Sequence, residues 1–208
     1  VNYQNHKVSS RILDHYHQML VKTVWGQMDD VYLAAYNGQV SLDQILILHS
    51  FKSGYYSVVN PLVMGAMVAR ASAKQIQLLI QVAVNLGIIF QIKDDQMNLF
   101  GDEKLIGKPV GSDIREDKKT IVRHLLFESA NEAERAMLRG LFGKATLSQQ
   151  EVKQVQEIAY HCQVPDQIDQ MTNSLLADVK APMSLLKKQV TQPKLLESFV
   201  ELMIQRKK

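Results

Sequence analysis

With 208 residues, 46% of them hydrophobic, the chain is long enough for one domain that buries roughly 70% of the surface its unfolded form exposes. Its 24 Lys and Arg against 21 Asp and Glu leave a net charge of +3; the basic residues are scattered, the only dense run being Arg206, Lys207 and Lys208, which speaks against a nucleic-acid partner. A single cysteine, Cys162, excludes an intramolecular disulfide and a cysteine-rich metal site, and fits a reducing, cytoplasmic setting.

No segment alternates apolar and polar residues with the period of a strand, whereas the helical period recurs throughout, so the expected fold class is all-α, a helical bundle. A first helix is predicted over about 10–37, with Tyr16, Leu20, Val24, Val31 and Ala34 as its apolar stripe and Gly38 as its stop. Ser41 with Gln44 reads as a capping box for a second helix carrying Leu42, Ile45, Leu48 and Phe51, which Pro61 kinks or ends. A long helix is predicted over about 73–100. It is apolar almost all round between 78 and 92, and should be central and buried. That run contains Gln81, Asn85 and Gln91 and falls short of the ~20 apolar residues a spanning helix needs, so no transmembrane segment is expected.

Residues 101–117, with Gly101, Gly107, Gly111 and Pro109, form the one extended irregular stretch. Beyond it, helices are predicted to start near Lys119, at Asn131 (with Glu134), at Ser148 (with Glu151) and at Pro165, and a last one covers about 194–205. There is no internal repeat or linker, so residues 1–208 are expected to form a single all-helical domain. No signal peptide precedes the apolar run at 78–92, and because the first residue is Val rather than Met the natural N-terminus is expected to be missing.

The chemistry concentrates in Gln91, Asp94, Asp95 and Asn98, which lie on one face at the end of the most apolar helix. Adjacent carboxylates about 6 Å apart repel by roughly 3 kcal/mol at an effective dielectric of about 20, so a partly buried pair needs a cation or protonation. Carboxylate oxygens that also meet phosphate suit Mg2+. An isolated Asp-Asp more often marks a helix leaving the core, but here Gly107-Lys108, Gly111-Ser112-Asp113 and Asp117-Lys118-Lys119-Thr120 follow, glycines and lysines of the kind that approach phosphate. Upstream, Gln27 and Asp30 interrupt the first helix's stripe, and Lys52 sits on the apolar face of the second, where a lysine either snorkels to solvent or meets a buried anion.

The string Phe90-Gln91-Ile92-Lys93-Asp94-Asp95, followed by Gly101-Asp102, Gly107-Lys108, Gly111-Ser112-Asp113 and Lys118-Lys119-Thr120, resembles the second aspartate-rich region of the trans-isoprenyl diphosphate synthases (the polyprenyl synthetase family). Gly26-Gln27-Met28-Asp29-Asp30 is similar to that family's G-Q-x-x-D, and Lys52-Ser53-Gly54 to its K-T/S-G, in the same order along the chain. The resemblance implies the isoprenoid synthase type of bundle, here its C-terminal part with the N-terminal helices missing from this chain. It implies chain-elongating prenyl transfer, in which an allylic diphosphate ionises and condenses with isopentenyl diphosphate to give a farnesyl, geranylgeranyl or longer product. Mg2+ is the implied cofactor, with Asp94, Asp95 and Asn98 as ligands. Lys52, Lys108 and Lys118 are the implied diphosphate-binding residues, Lys52, Ser53 and Gln91 the catalytic ones, and Gln27 and Asp30 the pocket lining. The implied association is a homodimer, or pairing with a missing N-terminal half.

Two departures stand out. Asn98 occupies the place of the second motif's last aspartate, and the family's earlier D-D-x-x-D is absent. They motivate an alternative: a non-catalytic or regulatory subunit of a heteromeric prenyl diphosphate synthase. A terpene cyclase is the third reading, and the lysine-rich loop argues against it, since a cyclase has no second diphosphate to hold.

Overall fold

The computed structural model describes residues 6–36, 38–103, 107 and 109–205, with side chains from residue 9 onward. These residues form helices and no strand, in agreement with the all-α expectation. In chain order they are α1 (His6–Ala35), α2 (Leu42–His49), a π-helical segment (Ser50–Val59), α3 (Asn60–Val68), α4 (Ala73–Phe100), α5 (Ser112–Arg115), α6 (Ile121–Ser129), α7 (Glu132–Leu141), α8 (Gln149–His161), α9 (Val164–Lys187) and α10 (Pro193–Ile204).

Local sequence accounts for most helix starts. Reciprocal capping boxes open α2 (Ser41 and Gln44), α4 (Ser72 and Gln75), α7 (Asn131 and Glu134) and α8 (Ser148 and Glu151), each satisfying two otherwise unpaired N–H groups. Pro61 does not end its helix. It stands in the first turn of α3, where the wider π register hands over to the α register, and α2, the π segment and α3 run on without a break to Val68.

Helix α4 is the axis of the bundle. It lies between the π segment on one side and α9 on the other. Val82, Ala83, Leu86, Ile89 and Ile92 are fully shielded, each larger side chain contributing about 1.5–3 kcal/mol. One end of α4 packs into a cluster with Val58, Val59, Val63, Val179, Met183 and Met203. The other packs with Ile121, Leu126, Leu138, Val155 and Ile168. By length and composition alone α4 could cross a membrane, a property that core helices share, and half of its most apolar window is buried inside the bundle.

The stripe expected on α1 faces the other way. Tyr16, Leu20, Val24 and Val31 are exposed, together with Leu13, Val21, Trp25, Met28 and Tyr32. The packed face is the less apolar one, with Met19 and Gly26 buried and Ile12, Thr23, Asp30 and Leu33 half-buried. Periodicity identified an amphipathic helix. It could not tell which of two apolar-containing faces meets the rest of this chain.

Glycine sets the inner spacing. A Cβ on Gly87 of α4 would stand 2.6 Å from the Cα of Gly54, and one on Gly26 of α1 would stand 2.4 Å from the backbone N of Lys52. Both contacts are with backbone, so relief requires whole helices to part. We therefore expect Gly87→Ala to cost about 3 kcal/mol or more in urea melts. Gly65→Ala in α3, where a Cβ would meet nothing within 4 Å, should instead stabilise by about 0.5–1 kcal/mol.

Candidate functional site

Three packed helices bring the polar residues together. Asp30 lies on the packed face of α1, Lys52 in the π segment directly across the Gly26 crossing, and Gln91, Asp94, Asp95 and Asn98 in the last turns of α4. Lys52 Nζ donates to Asp30 Oδ2 at 2.6 Å, with both side chains largely shielded. The lysine on the apolar face thus meets a buried anion, the second of the two fates open to it.

Asp95 is the deepest of the group, 3% exposed. Gln91 Nε2 donates to its Oδ1 at 2.8 Å, while Oδ2 has no hydrogen-bond partner among the described residues. Burial pushes its carboxyl well above the usual range; Asp113 and Asp94 push it the same way, against the Gln91 hydrogen bond and the Lys52 charge. Asp113, in α5, is raised to about 6, by burial first; Lys118 opposes the rise and Asp94 adds to it. Burial alone would lower Lys118, but Asp113 at 3.9 Å and Glu116 at 3.2 Å outweigh it and its pKa is raised. Asp30, Asp94, Asp95 and Asp113 therefore face Lys52 and Lys118 in one electrostatic neighbourhood, with acid in excess and one buried carboxylate oxygen open. An all-oxygen donor set of this kind fits a hard divalent cation such as Mg2+.

Asn98 links this group to the loop. Its Nδ2 donates to Ser112 Oγ at 2.6 Å, its Oδ1 accepts from the backbone N of Asp113 at 3.1 Å, and its own carbonyl accepts from the N–H of Gly111 at 2.9 Å. Gly111 takes φ +84°, a conformation in which a side chain is strained, and this turn delivers Asp113 to the aspartates of α4. The 101–117 stretch, read as irregular, thus contains the short helix α5. Ser53 is half-buried beside Lys52, whereas Gln27 is exposed. Lys108 lies outside the described residues. Lys119 is buried and turned to Asp117, which Arg123 also binds at 2.7 Å, so it braces the loop's end.

Sequence reasoning missed two participants. Asp113 was visible only as part of the lysine loop. His49, 4% exposed, places Nε2 3.7 Å from Asp95 Oδ2, beyond hydrogen-bond range, and its Nδ1 has no partner among the described residues. Burial, with the charge of Lys52, lowers its pKa to about 4 against the pull of Asp30, so it faces Asp95 as a neutral ring at pH 7. The signal available was its spacing, one turn before Lys52.

Over residues 2–159 the chain matches the sequence profile of the family described as Polyprenyl synthetase. It is 38% identical over 94 residues to the short chain isoprenyl diphosphate synthase of Methanocaldococcus jannaschii, an alignment covering 45% of this chain and 29% of that protein. It is 30% identical over 148 residues to the farnesyl pyrophosphate synthase of Saccharomyces cerevisiae, covering 69% of this chain and 42% of that one. Among solved structures it superposes with a TM-score of 0.87 and 25% identity on the geranylgeranyl pyrophosphate synthase from Corynebacterium glutamicum complexed with isoprenyl diphosphate and magnesium, covering 97% of this chain and 57% of that one. In each case the match spans less than two thirds of the relative's length.

The raised acid of Asp113 has a stability signature in metal-free buffer. The folded state holds a proton that the unfolded state, with a carboxyl near 3.8, gives up first. The stabilisation it confers is complete below pH ~4 and lost as pH rises to about 6. His49 works with the opposite sign, since its lowered pKa makes protonation below about 6.5 favour unfolding, so the informative quantity is a difference. Urea melts with EDTA should show wild type losing up to about 3 kcal/mol relative to Asp113→Asn between pH 4 and pH 6.5.

Proposed function

The chain belongs to the polyprenyl synthetase family, and on that premise we propose that it carries the diphosphate- and magnesium-binding half of a chain-elongating prenyltransferase. The observation behind this reading is the buried Asp95, with an open carboxylate oxygen, beside Asp94 and Asp113 and faced by Lys52 and Lys118. Such a mosaic is repulsive alone and becomes favourable around a metal–diphosphate pair.

Asp94 and Asp95 would hold Mg2+, with Asn98 contributing the oxygen lone pair that its bond from Asp113 leaves free. Bound there, the metal would supply positive charge to a departing diphosphate. Lys52, Lys118 and Lys108 would bind the allylic diphosphate and stabilise its charge as the carbon–oxygen bond breaks. The electron pair leaves with the diphosphate. The alkene of isopentenyl diphosphate then attacks the allylic cation to form the new carbon–carbon bond, and loss of a proton restores the double bond. Gln91 holds Asp95 through its amide N–H, which leaves its carbonyl oxygen and the Ser53 hydroxyl as dipoles for the cation. Asp30 holds Lys52 through their ion pair, and Asp30 and Gln27 would line the pocket.

The exposed apolar face of α1 would be covered by a second copy of the chain or by the N-terminal half of the enzyme. A cytoplasmic setting goes with this reading. One observation favours the alternative, a non-catalytic or regulatory subunit: Asn98 carries no charge and its amide is already committed to the α4–α5 junction.

Mixing this chain with an N-terminal half that carries the D-D-x-x-D motif separates the two. Incorporation of labelled isopentenyl diphosphate into an extended prenyl diphosphate is expected, reduced at least ~100-fold in Asp95→Ala and Asp94→Ala complexes. A folded complex with no transfer would overturn the catalytic reading. Transfer with an unchanged product profile in both variants would establish the regulatory one.

A further inference from the structure

Away from the aspartates, a second set of ligating side chains converges. Glu134 lies in the first turn of α7, His161 ends α8, and Cys162 follows it directly. The His161 Nδ1 stands 2.7 Å from Glu134 Oε1, and Cys162 Sγ 3.9 Å from Glu134 Oε2. All three donor atoms lie within 4.8 Å of one another, the only such set of three His, Cys or acidic residues among the described residues.

We propose that Glu134, His161 and Cys162 form a binding site for a borderline-soft divalent transition ion of the zinc type, distinct from the aspartate cluster. Around a tetrahedral ion with bonds of about 2.0 Å to O and N and about 2.3 Å to S, neighbouring ligand atoms stand about 3.3–3.6 Å apart. The two separations to Glu134 bracket that spacing and the third is within 4.8 Å, so closure needs side-chain adjustments of about 1 Å rather than backbone motion. Three different donors, carboxylate, imidazole and thiol, match zinc or cobalt and not Mg2+, which prefers oxygen alone. His161 is exposed, leaving room for water as a fourth ligand.

The chain turns directly after the site: α8 stops at Cys162, and Gln163 takes φ +54° and ψ +32°, a left-handed turn that swings the chain into α9. Gln167 fixes the turn by donating to the Cys162 carbonyl at 2.9 Å and to Ser129 Oγ at 2.8 Å. The last carbonyls of α8 put the negative end of its dipole beside the ligands, which favours a cation. Glu134 is ionised, its pKa lowered by the Asn131 backbone N–H ahead of His161. The Cys162 thiol is pushed up by burial and by Glu134, so it is protonated when no ion is present and loses its proton on binding.

The test is a titration of the 208-residue chain with Co2+ alone, followed by optical absorption. A thiolate-to-cobalt charge-transfer band and the d–d bands of tetrahedral cobalt are expected, and Zn2+ should abolish both. Cys162→Ser should remove the charge-transfer band. His161→Ala and Glu134→Gln should each weaken binding at least ~10-fold; glutamine can still close the capping box, so circular dichroism should show the helices unchanged. Absence of a charge-transfer band in wild type would overturn the proposal. So would a band unaffected by His161→Ala, which would mean a surface thiol binding cobalt on its own.

Discussion

Helix pairs normally stand 8–10 Å apart, a distance set by the side chains between them. Where Gly26 meets Lys52 and Gly54 meets Gly87, nothing stands between, and α1, the π segment and α4 touch backbone to backbone. Everything polar in the centre depends on that closeness. Lys52 reaches Asp30 from a helix whose axis is only a backbone's thickness away, and His49, three residues earlier, falls against Asp95 of the third helix. The π register belongs to the same arrangement: with one more residue per turn it makes the segment broader and lets Gly54 and Lys52 serve different neighbours.

The close packing is also what makes the site electrostatically unstable by itself. Shielded from water, Asp95 and Asp113 are pushed toward protonation, and two lysines do not balance four carboxylates. A core built only for stability would put apolar side chains there. The protein places acids there and surrounds them with structure rigid enough to keep them, including a glutamine one turn back, an asparagine that fastens the following loop and a lysine pinned by an aspartate. Charge that is uncomfortable without a partner is a reason for a partner to bind.

Much of this was legible in the sequence. Capping boxes at Ser41, Asn131 and Ser148 located three helix starts, and the apolar run of α4 identified the central helix. Asp94, Asp95, Lys52 and Asp30 declared themselves as charges on apolar faces, the one pattern that burial makes costly. Other features left no local trace. The π register is not readable locally, because Ser50–Val59, with Gly54, three serines and two valines, has weak helix propensity and leaves the register to what it packs against. The outward turn of α1 arose because its apolar residues outnumber what one face within this chain needs. Asn98 looked like a ligand only because its neighbours did; its two hydrogen bonds to α5 span fourteen and fifteen residues of sequence, beyond what spacing can reveal.

The position of α4 between early and late partners has a consequence for how the chain comes off the ribosome. The π segment is complete before α4 emerges, so one side of the central helix finds its partner at once. Its other side waits for α9, which begins at Val164, 64 residues after α4 ends at Phe100. At about 5–20 residues per second the delay is roughly 3–13 s. Throughout that interval, the face of this most apolar helix that α9 later covers stays open, long after its own backbone has formed. Transiently open apolar surface of this kind is what holding chaperones cover in general, and slower translation between α4 and α9 would lengthen the exposure.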